Sequence, residues 1–176
     1  EWLYLSDEEA TGFIKRYKGG NYAFVALLPN EEVTVADYVK NLTGEHLQSM
    51  LANPYKNAMV YAHLPQFSYE YDVEMSELLK AMGMTDAFNS GLADFTAMAT
   101  STHGNIFISR VIHKTFIEVS PVGTKAGAAT VVEAMNESAS FSEEMYEVFL
   151  DRPFLYMIMD CENNMPVFMG TVNSIE

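Results

Sequence analysis

The sequence is poor in cysteine and in positive charge, and both shortages limit what the protein can be. Cys161 is the only cysteine, so no disulfide forms within the chain, and cysteine usage neither indicates nor excludes an oxidising compartment. Ten Lys and Arg residues stand against 24 Asp and Glu residues, which gives a net charge of -14. Because such a surface repels phosphate backbones and anionic membranes, we expect no binding to nucleic acid or to a membrane. No apolar run approaches the roughly 20 residues that span a bilayer.

The motifs of common catalytic and metal sites are also missing. The sequence contains no HExxH, no GxSxG and no glycine-rich phosphate-binding loop. The histidines His46, His63, His103 and His113 do not have the tight spacing of metal ligands. Cys161 lies in the apolar run LYMIMDC, which favours a partly buried structural thiol over a reactive one. We therefore expect no enzymatic activity, no metal and no cofactor.

The apolar content is high enough for one folded domain spanning 1–176. Hydrophobic residues make up 49% of the chain and charged residues 19%, a composition that excludes a disordered chain. Strands and short helices are predicted without regular alternation, which indicates an α+β fold. The predicted strands span 2–6, 11–18, 22–28, 57–71, 105–120, 154–160 and 166–172, and the predicted helices span 33–42, 43–51 and 73–82.

The composition changes between Pro121 and Pro153, where small residues dominate. A segment of this length between two strands is either functional or disordered. If 124–135 forms a strand, its side chains alternate between two faces. One face then carries only small or medium uncharged residues, and both charges, Lys125 and Glu133, lie on the other. The pattern fits a strand able to enter a packed sheet, and it fits a flexible linker equally well.

At these residues the chain resembles the serpin family. VIHKTFIEVSPVGTKAGAAT at 111–130 is similar to the strand and hinge that lead into a serpin reactive loop. FLDRPFLYMI at 149–158 is similar to the C-terminal signature of the family, and PVFMGTV at 166–172 to its last strand. Weaker similarity extends over essentially the whole chain. The resemblance implies a serpin-like α+β fold of mostly antiparallel sheets with a few short helices.

The resemblance also implies a mechanism, in which the protein inhibits serine or cysteine proteases. A target protease attacks a carbonyl in an exposed loop and forms an acyl-enzyme. The cut loop then inserts into the central sheet and distorts the attached protease, driven by relaxation of a metastable fold. The expected partner is therefore a serine or cysteine protease, and the expected location is extracellular, although the chain shows no signal peptide.

The expected reactive loop spans about 123–147. The family's spacing from its hinge glycine places the cleaved bond between Glu137 and Ser138, and a shifted register would place it at Ala134, Met135 or Phe141. Glu137 would suit a protease with a basic specificity pocket. The residues implied as the hinge are Gly123, Thr124, Lys125, Ala126, Gly127, Ala128, Ala129 and Thr130.

Some positions depart from the family pattern or have two interpretations. Lys125 replaces a usual acidic residue but would point outward, and Gly127 replaces a usual alanine and remains small. Asn136 begins a glycosylation sequon inside the loop, and Asn41 begins another. His113 resembles a family histidine that latches the opening of the central sheet, and it is also interpretable as a satisfied core histidine.

A whole serpin is about twice as long, so the resemblance implies that this chain lacks the N-terminal helices and the first strands of the central sheet. An inserting strand needs two neighbours, and 105–120 supplies only one. We therefore expect the N-terminal half of the serpin as a second partner, and the chain alone not to trap a protease. The alternatives are a non-inhibitory serpin with a carrier, chaperone or storage role, or an inactive fragment.

Overall fold

The computed structural model describes residues 2–55, 58–120, 123–124 and 144–175. They fall into two compact units, Glu1–Phe67 with Val119–Glu176, and Ser68–Glu118. The described strands are β1 Trp2–Ser6, β2 Ala10–Arg16, β3 Tyr22–Pro29, β4 Ala58–His63, β5 Phe67–Glu74, β6 Ile112–Ser120, β7 Gly123–Thr124, β8 Glu144–Phe149, β9 Phe154–Asp160 and β10 Met165–Val172. The described helices are α1 Val35–Asn41, α2 Gly44–Ala52 and α3 Ser76–Ala81, with a 3₁₀ turn at Asp86–Phe88.

A five-stranded antiparallel sheet in the order β1–β2–β3–β9–β10 forms the centre of the first unit. The turn between β2 and β3 uses Gly19 and Gly20, whose φ angles of 98° and 77° favour glycine. β3 pairs with both β2 and β9, and every residue of β3 after Tyr22 is buried. Its continuous apolar sequence therefore reflects burial on both faces.

α1 and α2 cover one face of this sheet. Thr34 and Thr43 cap them, because each hydroxyl accepts a hydrogen bond from the backbone N–H three residues later. The cap at Thr43 confirms the start predicted for the second helix. The buried residues of the helices and sheet that share this core are Leu5, Ile14, Val25, Leu27, Val35, Tyr38, Leu47, Met50, Leu51, Leu155 and Met157.

Aromatic rings pack against buried residues of the five-stranded sheet. Phe13 and Phe154 are fully buried. The ring of Trp2 lies 5.1 Å from that of Phe13, and the ring of Phe67 lies 5.9 Å from that of Phe154. Tilted and edge-to-face ring pairs of this kind add to the stability gained from apolar burial.

The second unit contains most of β5 and β6 together with α3. β5, β6 and β7 form a three-stranded sheet in that order. At the start of α3, the Ser76 hydroxyl accepts a hydrogen bond of 2.9 Å from the N–H of Val111, and Met75 donates its N–H to the carbonyl of Val111 at 2.9 Å. Large apolar side chains are exposed here, including Met82 at 76% and Met98 at 82%.

The predicted α+β class is confirmed, with mostly antiparallel strands and short helices. The predicted strand 105–120 was wrong in its first part, since β6 begins only at Ile112. Asn105 instead donates to the carbonyls of Ser90 and Ala93, and Ile108 donates to the carbonyl of Ala87. These bonds tie 105–111 to an irregular segment rather than to a strand ladder.

Two further corrections concern the stretches 57–71 and 73–82. The extended stretch 57–71 is divided near Pro65 into β4 and β5, which belong to different sheets. The helix predicted from Val73 begins at Ser76, because β5 continues to Glu74.

Candidate functional site

Most of the predicted reactive loop lies outside the described residues. This holds for Glu137 and Ser138, for the alternatives Ala134, Met135 and Phe141, and for the hinge positions Lys125, Ala126, Gly127, Ala128, Ala129 and Thr130. The sequon residue Asn136 also lies outside them. The structure does describe both ends of the segment, and they define the geometry of the candidate site.

The N-terminal end of the segment is the pair of strands β6 and β7. Ser120 lies opposite Gly123, and Val119 lies opposite Thr124, in antiparallel register. On β6, Ile117 is 5% exposed and Val119 is 4% exposed. The first two predicted hinge residues are therefore already paired in a sheet, beside a strand with one buried face.

His113, the predicted latch, lies on β6 with its side chain exposed. Next to it, Lys114 forms an ion pair with Asp72 of β5, at 2.5 Å. The bond to Asp72 is the main cause that raises the pKa of the Lys114 ammonium. The described residues do not pack His113 into a core, and its latch role stays a prediction.

The C-terminal end of the segment is β8, which the sequence did not predict as a strand. It pairs in parallel with β4, from Ala58 opposite Glu144 to His63 opposite Phe149. The last residues of the predicted loop, 144–147, therefore belong to a sheet. Val148 is buried at 1% exposure, and Met145 on the other face is 64% exposed.

Three tyrosines from separate segments meet at β8, and we call them the tyrosine cluster: Tyr4 of β1, Tyr55 after α2, and Tyr146 of β8. The rings of Tyr4 and Tyr146 stack at 4.0 Å with an interplanar angle of 17°. Tyr55 meets Tyr4 edge-on at 5.5 Å and Tyr146 at 6.1 Å. The Tyr146 hydroxyl donates to the carboxylate of Glu144, and this bond is the main cause that raises the pKa of Tyr146 to about 12.

The chain after β8 is held by two further contacts. The N–H of Leu150 donates to the carbonyl of His63 at 3.0 Å, which extends the attachment to β4. The Arg152 guanidinium donates twice to the carbonyl of Pro29 at the end of β3, from Nε at 3.2 Å and from Nη2 at 2.9 Å. Among the described residues, β8 is therefore attached to β4, and the residues that follow β8 are attached to β4 and to the end of β3.

Asp7, His46 and Tyr38 form a hydrogen-bonded cluster of ionisable groups in the first unit. The Asp7 carboxylate accepts hydrogen bonds from the Tyr38 hydroxyl at 3.0 Å, from His46 Nε2 at 2.9 Å, and from two backbone N–H groups of its own turn. Burial acts to raise the pKa of Asp7, but these hydrogen bonds outweigh burial and lower the pKa. Burial and the nearby Asp7 charge raise the pKa of Tyr38 above its ordinary value. Because both carboxylate oxygens of Asp7 accept hydrogen bonds from other groups of the protein, the cluster fits a structural role.

The remaining chemical candidates also fit structural roles. Cys161 is half-buried, as predicted, and burial is the main cause that raises the pKa of its thiol, which disfavours the reactive thiolate form. Among the described residues, no group of three or more His, Cys, Asp or Glu side chains is arranged to hold a metal ion. No described helix is long and apolar enough to cross a membrane.

The fold and the two ends of the segment match known proteins. A family model described as serpin (serine protease inhibitor) matches residues 4–175. The chain belongs to the serpin family. Iris of Ixodes ricinus is 33% identical over 172 residues, which cover 98% of this chain and 45% of Iris. Serpin B4 of Homo sapiens is 34% identical over 171 residues, which cover 97% of this chain and 43% of Serpin B4.

A solved structure supports the same assignment. The crystal structure of a thermophilic serpin, Tengpin, in the native state is 42% identical and superposes with a TM-score of 0.83. The superposed region covers 99% of this chain and 44% of the Tengpin chain. The chain therefore spans less than half the length of these serpins, and members of the family are in general protease inhibitors rather than enzymes.

Proposed function

We propose that the protein containing this chain inhibits serine or cysteine proteases as a suicide substrate, with 123–147 as its reactive loop. The observation that carries the proposal is the pairing of Gly123 and Thr124 with the end of β6. A loop that inserts into a sheet as a strand must begin to pair with that sheet at its hinge. In this chain the first two hinge residues are already paired with β6.

The register of this pair agrees with the alternation of small residues in the loop. Continued without a bulge, it places Ala126 opposite Ile117 and Ala128 opposite Thr115. Since Ile117 and Val119 are buried, the face of the loop that carries only small or medium uncharged residues would enter the packed side of the sheet. Each added backbone hydrogen bond contributes about 0.5–1.5 kcal/mol. Insertion along β6 would therefore be favourable, as the proposed mechanism requires.

The proposed chemistry needs no catalytic group from the inhibitor. The nucleophilic oxygen or sulfur of the protease attacks the carbonyl carbon of Glu137 and forms an ester or thioester. The peptide bond to Ser138 breaks, and the amine of Ser138 leaves with a proton from the general acid of the protease. Insertion then displaces the acylated protease before water hydrolyses the bond.

The inhibitor needs more chain than these 176 residues. An inserted strand has two neighbours, and β6 supplies one of them. The exposed apolar side chains of the second unit, such as Met82 and Met98, are consistent with a surface that the rest of the protein covers. We propose the N-terminal half of the serpin as this missing partner, and extracellular space as the place of action.

The test incubates the full-length protein with a panel of serine and cysteine proteases. We expect an SDS-stable complex with at least one protease, and a released C-terminal peptide that begins at Ser138 by mass spectrometry. A peptide that begins directly after Ala134, Met135 or Phe141 would instead show that the cleaved bond follows that residue. Simple cleavage without any complex, and without a gain in melting temperature, would favour a non-inhibitory serpin.

Two controls complete this test. The isolated chain 1–176 is expected to form no complex with the same proteases, because one neighbour of the inserted strand is missing. Immunodetection in the culture medium and in the lysate of the native source tests the proposed extracellular location.

A further inference from the structure

The ends of β4 and β8 form an open cavity that the proposed mechanism does not use. His63, the last residue of β4, lies opposite Phe149, the last residue of β8, and the N–H of Leu150 donates to the carbonyl of His63 at 3.0 Å. Beyond this bond the two segments continue into different sheets, one into β5 and the other into β9. The cavity has a volume of about 600 Å³. This volume lies within the range of about 300–1,000 Å³ that is typical of small-ligand sites.

The lining of the cavity is mostly apolar, with two polar side chains. Its apolar residues are Ala62, Leu64, Pro65, Phe149 and Leu150, and its polar residues are His63 and Asp151. Asp151 is the only acid among these lining residues, and none of them is a lysine or an arginine. An apolar wall with a few polar groups is the usual construction of a small-ligand site.

Aromatic rings form one side of the cavity. The ring centroids of His63 and Phe149 lie 4.7 Å apart. The ring of Tyr61, which is 54% exposed, lies 5.2 Å from that of His63 and 6.1 Å from that of Phe149. The face of an aromatic ring carries partial negative charge and attracts a positive group placed over it. This side of the cavity therefore favours a cation.

The chain already uses this attraction elsewhere. Lys15 Nζ lies 4.2 Å from the ring centroid of Trp2, and Lys80 Nζ lies 5.3 Å from that of Phe88. In the part of the chain that the structure describes, no Lys or Arg is placed in this way over the rings beside the cavity. Those rings therefore offer an attraction that the described residues leave unused.

Asp151 adds a carboxylate to the same cavity. Its side chain is 69% exposed, and Nη1 of Arg152 donates to it at 3.3 Å. An exposed ion pair of this kind contributes little to stability. The Arg152 guanidinium also donates twice to the carbonyl of Pro29, and Arg152 does not line the cavity. The Asp151 carboxylate is therefore accessible to a second cation, and the net charge of -14 favours the approach of one.

We propose that this cavity binds a guanidinium group carried on an apolar stem. The rings of His63 and Phe149 contact the guanidinium, the Asp151 carboxylate pairs with it, and the apolar wall takes the stem. A guanidinium is the cation that suits both partners, because it is planar, stacks on aromatic rings and pairs with carboxylates through two hydrogen bonds. An arginine side chain of a partner protein and a free guanidinium compound share this chemistry. The inference does not depend on the proposed inhibitory function.

The test titrates the full-length protein with N-acetyl-arginine amide and with N-acetyl-citrulline amide, which has nearly the same shape without the charge. Ligand-observed NMR at about pH 8, where histidine is ordinarily neutral, follows the binding. We expect a Kd of about 1 mM or lower for the arginine compound and binding about tenfold weaker for the citrulline compound. Equal binding of the two compounds, or no binding of the arginine compound, would overturn the inference.

The source of the ligand is tested with a peptide that carries one arginine between two leucines. Binding about tenfold tighter than that of the arginine amide would support a side chain of a partner protein, because the flanking residues then find contacts of their own. Equal affinity of the peptide and the amide would support a free guanidinium compound. Both results require the site.

Two variants of the full-length protein test the residues of the cavity. Phe149→Leu removes the ring and keeps apolar bulk, and Asp151→Asn removes the charge and keeps the shape. Each is expected to weaken binding of the arginine compound by about threefold or more. Glu32→Gln is the matched control, because Glu32 is exposed, does not line the cavity and changes the net charge equally.

Thermal unfolding shows whether the variants are folded. Asp151→Asn decides the test alone if Phe149→Leu does not fold, since the Asp151 side chain is 69% exposed. Equal losses in Asp151→Asn and Glu32→Gln would show that net charge rather than the cavity attracts the ligand, and would overturn the inference. Failure of the full-length protein to trap a protease would overturn the proposed function and leave the binding result to decide this inference.

Discussion

Thr124 lies directly opposite Val119 in an antiparallel pair, and Val119 is 4% exposed. Residues directly opposite each other in an antiparallel pair share a face, so the register predicts a packed environment for a side chain at position 124.

Thr124→Arg is expected to convert the full-length protein from an inhibitor into a substrate. The pairing with Val119 would hold a guanidinium on the buried face of the sheet, and because burial of an unpaired charge is costly, the hinge would insert poorly. The measurement is the ratio of SDS-stable complex to cleaved protein after reaction with the target protease, with a fall of about tenfold or more expected. Lys125→Ala changes the neighbouring residue on the other face and should leave the ratio near that of the wild type.

Lys125 and Glu118 are expected to form a cross-strand pair in the cleaved protein. If the inserted strand continues the register of β6 and β7 by one residue beyond Thr124, position 125 would lie opposite Glu118, on the face away from Val119. Opposite charges facing each other across two strands contribute about 0.2–1 kcal/mol, and like charges are unfavourable. Lys125→Glu and Glu118→Lys should each lower the melting temperature of the cleaved full-length protein, and the double exchange should restore it. A double variant no more stable than the weaker single variant would contradict this register.

Arg152→Ala is expected to destabilise the first unit by about 1–3 kcal/mol, because it removes two charge-assisted hydrogen bonds to the Pro29 carbonyl. Arg152→Lys should recover only part of this loss, since a lysine cannot donate from two positions of a rigid fork. Urea unfolding of the cleaved full-length protein measures the difference. Arg110→Ala is the control, because Arg110 is exposed. Equal losses in the two alanine variants would show that the contact with Pro29 contributes nothing specific.

The sequence predicted those parts of the fold that depend on local patterns. The two-sided burial of β3 appears as a continuous apolar run, and the start of α2 appears as the threonine cap at Thr43. The small uncharged face of 124–135 and the family motifs around it indicate the position of the candidate site along the chain. These features depend on neighbouring residues and can be recognised without knowledge of distant contacts.

The parts that were missed depend on contacts between distant segments. β8 is acidic and short, and its strand character comes from β4 and from the stacking of Tyr146 on Tyr4. The irregular stretch 105–111 is apolar enough for a strand, but Asn105 binds the carbonyls of Ser90 and Ala93 instead. The partners of β8 and of Asn105 are distant in the sequence, so no local pattern identifies them.

The stability of the first unit is expected to fall in acid because of Asp7. Its carboxylate accepts hydrogen bonds from the Tyr38 hydroxyl and from His46, and its pKa in the folded protein lies below the ordinary value of 3.8. A lowered folded-state pKa means that the stabilisation is present above pH 3.8 and is lost as the pH falls through the lower folded-state value. Asp7→Asn should therefore be less stable than the wild type at neutral pH, and the two unfolding free energies should converge below pH 3.8.

Tyr38→Phe separates this effect from general acid denaturation. It removes one of the hydrogen bonds that lower the pKa of Asp7, and it leaves the aromatic ring in the core formed by α1. The acid loss of stability due to Asp7 should then be smaller than in the wild type and complete at a higher pH, because the folded-state pKa of Asp7 moves back toward its ordinary value. Unfolding free energies from urea titrations at a series of acid pH values measure the shift. Parallel curves for the wild type, Asp7→Asn and Tyr38→Phe would show that other carboxylates cause the acid loss.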